Sequence, residues 1–178
     1  MKQELDELVA SVADAVRCAG ASVASCESLT GGRIAVALSS AEQAADWYRG
    51  GIVAYQSGLK HGLLDTPDGP VVTADTATRM AYSAAQLLHA DYTVAVTGVG
   101  GPDPQEGWPA GTVYIATSTY GESSGADLHH FDGGPIEVMK QTVRGRSKHS
   151  SRRSSAPHQS RVSRFFRAPE LLRKSPAR

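Results

Sequence analysis

Ser22-Val23-Ala24-Ser25-Cys26-Glu27-Ser28-Leu29-Thr30-Gly31-Gly32-Arg33-Ile34 begins as a strand and ends as a helix. Ser22-Val23-Ala24 reads as a short buried strand, and Ile34, Ala35 and Leu38 recur at helical spacing. Between them the chain breaks at a hydroxyl, Ser28, followed closely by Gly31 and Gly32. A strand end that feeds a helix start presents a side chain and unpaired main-chain N–H groups to one ligand. Ser28 is therefore expected at a strand's carboxyl end, where open α/β sheets bind their ligands.

Outward from this junction, helix and strand signals alternate. Leu5, Leu8, Val9, Val12 and Val16 make an amphipathic helix that closes near Gly20. A helix follows from Thr30, residues 51–55 form a second strand, and residues 56–64 form a turn and short helix. Thr73 caps the next helix, with Asp75 in its first turn and Ala77, Met80, Ala81, Ala84, Leu87 and Leu88 on its buried face. Residues 92–96 and 112–116 read as strands around a Gly- and Pro-rich loop, and 127–131 as an edge strand. Pro135 opens a last helix with Ile136, Met139 and Val143 along one side. The alternation predicts a three-layer α/β/α sandwich around a mostly parallel sheet, in a single domain followed by a tail.

Composition sets the limits of that reading. With 178 residues, 40% of them hydrophobic, the chain can bury a core without disulfides or metal. No apolar run approaches the roughly 20 residues of a membrane span, and the N-terminus lacks the basic, apolar character of a secretory signal. A cytoplasmic protein with no membrane partner is expected. Cys18 and Cys26 are expected to be free thiols. The formal charge of zero hides two unlike pieces. Residues 1–144 carry 8 Lys and Arg against 17 Asp and Glu, whereas residues 145–178 carry 10 basic residues, 1 acidic residue and 8 serines. A domain over residues 1–145 and a disordered basic Ser/Arg-rich tail over 146–178 follow. The switch in composition is of the kind a reading-frame shift in GC-rich coding sequence produces, and that origin is preferred to a native tail. Nucleic acid would find only the tail attractive, because the acidic body repels phosphates.

Three polar clusters fall in loops after strands: 27–32, 55–60 and 97–102. Thr97-Gly98-Val99-Gly100-Gly101-Pro102 fails the dinucleotide fingerprint because Asp103 stands at its last glycine position. Ser28 is flanked two residues away by Cys26 and Thr30, not glycines, which excludes an α/β-hydrolase elbow. Gly31-Gly32 suits a close-packed helix start as well as a phosphate cradle. His61, His129 and His130 share no ligand spacing with a Cys or carboxylate cluster, so no metal is assigned. Taken singly, a serine before a helix is a cap, a loop lysine is solvated and a strand-end tyrosine is core.

Together the clusters resemble one family. Glu27-Ser28-Leu29-Thr30-Gly31-Gly32, Gly50-Gly51-Ile52-Val53-Ala54-Tyr55 with Lys60, Thr97-Gly98-Val99-Gly100-Gly101-Pro102 and Gly111-Thr112-Val113-Tyr114-Ile115 are similar, in this order, to blocks of the CinA C-terminal domain family. Its members include nicotinamide-nucleotide amidohydrolases. The resemblance covers roughly residues 4–144 and looks like the stand-alone form. It implies hydrolysis of the carboxamide of nicotinamide mononucleotide to nicotinic acid mononucleotide and ammonia, in pyridine nucleotide salvage, with no cofactor. It implies Ser28 as nucleophile, Lys60 as its base and Tyr55 as the tyrosine that hydrogen-bonds within the pair. Glu27 is expected to orient the loop and Thr97 and Gly98 to line the nucleotide pocket. The main chain of Thr30, Gly31 and Gly32 is expected to meet either the oxyanion or the phosphate. The expected partner is a small-molecule nucleotide, and a homo-oligomer is compatible with the resemblance. The alternative is a non-hydrolytic nucleotide-binding module, or a regulatory module related to competence or DNA damage. The chain departs from the family at Gly133-Gly134-Pro135, where the resemblance implies an arginine for the phosphate.

Overall fold

The computed structural model describes residues 2–144, so the expectations for the basic tail lie outside the described residues. Its elements follow in the order α1 (Lys2–Ala19), β1 (Val23–Glu27), α2 (Arg33–Ser39), α3 (Ala44–Trp47), β2 (Tyr48–Val53), α4 (Ser57–Leu64), α5 (Ala74–Leu88), β3 (Tyr92–Gly98), β4 (Thr112–Thr119), β5 (Glu122–His130) and α6 (Pro135–Arg144). The strands form one five-stranded sheet ordered β2-β1-β3-β4-β5. β1 pairs parallel with β2 and β3, while β4 runs antiparallel to β3 and to β5. Four strands thus share one direction and β4 opposes them, which is the mostly parallel sandwich expected from sequence.

The two faces of the sheet are packed differently. On one, Val23, Val94, Val96, Val113 and Ile115 meet Val12 and Val16 of α1, Ile34 and Leu38 of α2, Trp47 of α3 and Val138 of α6. On the other, Cys26, Ala54, Ala95 and Ala116 meet Ala77, Met80, Ala81 and Ala84 of α5 and Leu64 of α4. Methyl-sized side chains on both sides of the second interface let α5 lie close to the strands. Its start is fixed by Thr73, whose hydroxyl accepts from the Thr76 N–H at 3.0 Å, the cap the sequence predicts.

Several expectations shift. β2 begins three residues before the predicted strand, because Tyr48 already pairs with Val23, across an irregularity at Arg49, although its burial alternates along the sheet edge. Leu87 is exposed beyond the end of the α5 contact face, and Ile136 is exposed on α6. Val143 is buried there as expected, joined by Val138 and Thr142, since the face set by i, i+4 and i+5 turns inward. β5 is an edge strand, as expected, but longer. Both cysteines are free thiols, Cys18 exposed and Cys26 buried. Among the described residues no helix is long and apolar enough to cross a membrane.

Candidate functional site

β1 lies between β2 and β3, so the chain leaves it to one side and later returns on the other. The carboxyl end of β1 therefore faces the crevice where strand order reverses. Ser28, the residue just past that end, is still held by the sheet: its N–H donates to the Val96 carbonyl at 3.1 Å. On the opposite side the Ala54 N–H donates to the Glu27 carbonyl at 2.7 Å. The backbone that carries Ser28 is thus pinned from both neighbouring strands while its side chain stands at the rim.

What turns the chain into α2 is Glu27. Its carboxylate is fully buried and accepts four hydrogen bonds, from the Thr30 hydroxyl at 2.7 Å, Gly32 N–H at 3.1 Å, Ile34 N–H at 3.0 Å and Ala35 N–H at 2.7 Å. The donors that a helix start leaves unpaired are met by this one side chain. Gly32, at φ 92°, supplies the left-handed N-cap conformation that lets its N–H turn back toward Glu27. The Gly31 N–H donates to the Ser28 carbonyl at 3.0 Å. Glu27 therefore orients the loop, as the sequence suggests. The Thr30 hydroxyl and the Gly31 and Gly32 N–H groups, on residues expected to meet an oxyanion or phosphate, donate within the loop.

A cleft of about 460 Å³ opens at this point, with Ser28, Tyr55, Lys60, Thr97 and Gly98 among its lining residues. Gln56 and Ser57 from the start of α4, Gly100 and Gly101 from the loop after β3, and Pro135 and Met139 from α6 also line it. Lys60 is only 1% exposed, and its Nζ donates to the Tyr55 carbonyl at 3.1 Å. Burial pushes its pKa below the usual lysine value, while the neighbouring Cys26 thiol and Glu106 carboxylate push it back up. The Cys26 thiol is itself pushed up to about 12, chiefly by burial and further by Glu27. Tyr55, expected to hydrogen-bond within the pair, meets Lys60 through its main-chain carbonyl, and the residue is 65% exposed.

Thr97 and Gly98 shape the wall more than they present groups to it. The Thr97 hydroxyl donates to the Val71 carbonyl at 2.9 Å. A Cβ at Gly98 would stand 2.4 Å from the Thr112 carbonyl oxygen, so only glycine lets β4 run this close. Glu106, which on sequence alone falls with Asp103 and Trp108 in a variable part of the loop and carries no role, makes a defined contact. Its carboxylate accepts from the Val72 N–H at 2.8 Å, across the cleft wall from its own loop. An isolated acid in a Gly- and Pro-rich loop carries no periodicity that could have singled it out. A larger groove of about 730 Å³ lies between α1 and α2, walled by residues such as Leu5, Val9, Val36 and Val143. It includes neither Ser28 nor Lys60, so the smaller cleft is the candidate site. No group of three or more metal-ligating side chains comes together among the described residues.

Comparisons with known proteins give the family. The sequence model of the CinA C-terminal domain matches residues 5–146. A protein of Lacticaseibacillus casei, provisionally named competence-damage inducible protein, is 36% identical over 126 residues, covering 68% of this chain and 30% of that protein. Its counterpart in Streptococcus gordonii is 35% identical over 159 residues, covering 86% of this chain and 35% of the relative. The chain thus spans about a third of the length of these curated relatives. A crystal structure of a CinA superfamily protein from Klebsiella pneumoniae superimposes with a TM-score of 0.76 at 30% identity, covering 79% of this chain and 91% of that one. One from Escherichia coli gives 0.75 at 30% identity, with coverage of 79% and 84%. The chain belongs to the CinA C-terminal domain family.

Proposed function

We propose that the cleft hydrolyses the carboxamide of nicotinamide mononucleotide to nicotinic acid mononucleotide and ammonia through a Ser28–Lys60 pair. The observation that carries the reading is Lys60: an amine 1% exposed, depressed in pKa by burial, in the same cleft as a serine at a strand's carboxyl end. An amide is a poor electrophile and needs an activated nucleophile, a base and donors for the oxyanion. Neutral Lys60 takes the Ser28 hydroxyl proton as Oγ attacks the carboxamide carbon. The lysine then returns a proton to the departing nitrogen, which leaves as ammonia. Water, deprotonated by the same lysine, cleaves the acyl-serine and restores Ser28. The main chain at Gly100 and Gly101 lines the cleft, and a Cβ on Gly100 would stand 3.9 Å from that of Leu29, next to Ser28. We assign the oxyanion donors there. The inward bonds of the Gly31 and Gly32 N–H groups support that choice.

Ser28→Ala and Lys60→Ala should each lower ammonia release from nicotinamide mononucleotide by several orders of magnitude. Their effects should be non-additive, because the pair acts as a unit. Release at near the parent rate from Ser28→Ala overturns the nucleophile. A second reading is a non-hydrolytic nucleotide-binding module; the relatives are named for competence damage and not for a reaction. Nucleotide binding with no ammonia release by the parent chain would select it.

A further inference from the structure

The loop between β3 and β4 puts Pro102, Asp103 and Pro104 along the cleft. This loop is tied down on both sides of them. At its base the Val99 N–H donates to the Thr112 carbonyl and the Gly111 N–H to the Val99 carbonyl, each at 2.8 Å. Further out, Gln105 and Trp108 exchange both main-chain hydrogen bonds, at 3.0 and 2.9 Å, and the Glu106 carboxylate accepts from the Val72 N–H at 2.8 Å. A proline on either side narrows the backbone freedom of Asp103 itself. Asp103 is exposed, and its carboxylate makes no hydrogen bond or ion pair with another described residue. An acid is thus carried to the cleft on a restrained segment that it does nothing to hold together.

We propose that Asp103 selects the ring of the substrate: its carboxylate favours a carboxamide carried on a positively charged, N-substituted pyridinium over the same carboxamide on a neutral ring. The assignment rests on this cleft being the amide-hydrolysing site. Lys60 and Asp103 are the charged residues along it. Lys60 acts in the proposed reaction as the neutral amine, so in that state the charge on the cleft wall is that of Asp103. Asp103 is two residues beyond Gly101, where the amide oxygen is assigned, and the ring bonded to that amide falls within its reach. A ring alkylated at its nitrogen carries a fixed positive charge, whereas free nicotinamide carries none. The same charge draws electrons from the carboxamide carbon and makes it a better electrophile for Ser28. Because the segment is already restrained, little of the attraction is lost to ordering it.

The full chain and its Asp103→Asn and Glu106→Gln variants are titrated by ¹H NMR with two probes that differ in ring charge, the 1-methylnicotinamide cation and neutral nicotinamide. Ammonia release from nicotinamide mononucleotide is measured on the same samples. Asp103→Asn keeps the shape and removes the charge. Glu106→Gln removes a charge from the same loop, outside the cleft lining, and keeps an acceptor for the Val72 N–H. The titrations are run at about pH 9, toward the neutral form of a lysine whose pKa burial lowers. For unit charges about 4 Å apart in water, the parent should bind the cation about fivefold more tightly than the neutral ring, and less so in about 0.5 M salt. Asp103→Asn should bring the two affinities within about 1.5-fold of each other, and Glu106→Gln should leave the preference near its parent value. No binding of the cation by the parent, equal affinity for the two probes, a preference that survives Asp103→Asn, a weakening of both probes alike in that variant, or a preference equally lost in Glu106→Gln overturns the proposal. A preference removed by Asp103→Asn alone, in a chain that releases no ammonia, supports the selection and sinks the hydrolase reading. Ammonia release without the preference sinks the selection alone.

Discussion

Glu27→Gln tests the claim that one buried carboxylate builds the Ser28 junction. The substitution preserves shape but converts one acceptor atom into a donor. With the amide oxygen in the place of Oε2, it still meets the Thr30 hydroxyl and the Gly32 and Ile34 N–H groups. The amide nitrogen then faces the Ala35 N–H, which in the parent chain is 2.7 Å from Oε1. That donor–donor contact leaves a buried N–H unsatisfied, at about 1–3 kcal/mol. The three surviving bonds lose their charge assistance, at about 0.5–1 kcal/mol each. The reverse orientation strands two N–H groups and is worse. The sum, about 2.5–6 kcal/mol, is a large share of a stability of about 5–15 kcal/mol. With a urea slope of about 2 kcal/mol/M, the midpoint should fall by about 2 M. Circular dichroism through a urea titration measures it, and the slope should stay constant. A midpoint within about 0.3 M of the parent would mean that α2 is held by its packing and that Glu27 is incidental to the turn.

Two further perturbations act away from the cleft. Thr93 and Ser118 face each other as partners across β3 and β4, fully buried, and neither hydroxyl has a hydrogen-bond partner among the described residues. Thr93→Val should therefore raise stability by about 1 kcal/mol, and a loss of more than about 0.5 kcal/mol in urea titration would refute this. His129 is buried, stacked on Phe131 at 5.6 Å with both ring nitrogens unpartnered among the described residues. Its pKa is lowered, mainly by burial, with Asp127 pushing it up and His130 pushing it down. The unfolded chain then takes up the proton first, so this contribution is complete above the unfolded pKa of about 6.5 and lost as pH falls toward the folded value. Urea titrations at stepped pH should show stability dropping below pH 6.5 with a slope of at most about 1.4 kcal/mol per unit, and His129→Phe should flatten it.

The fold was legible where a local rule and the long-range packing agree. The Thr73 cap and the Ala77, Met80, Ala81, Ala84 stripe follow from helix periodicity alone, and the interior helix confirms both. β2 was harder: a strand at the sheet edge buries alternate residues, and its Arg49-Gly50-Gly51 stretch carries no apolar signal. At the site, residue types were legible but directions were not. Ser28 and Lys60 reach one cleft, whereas Gly31 and Gly32 read equally as cradle or cap, because a sequence does not say which way an N–H points. Tyr55 illustrates the same limit, since its carbonyl and not its ring makes the contact with Lys60. Glu106 and Val72 are 34 residues apart, and only the folded chain makes them neighbours.

The unlike faces of the sheet give the molecule two opposite ways to fail. Where Val94, Ile115, Leu38 and Trp47 interlock, damage comes from loss: a shortened side chain leaves a hole that its neighbours fill only in part. Where α5 rests on Cys26, Ala54, Ala95 and Ala116, damage comes from gain, because an added methylene has nowhere to go but between helix and strand. Cys26 adjoins both α5 and Lys60, so a helix lifted off that side would carry the disturbance straight to the amine. The alanine layer is a spacer of fixed thickness, and the setting of the cleft depends on its staying thin.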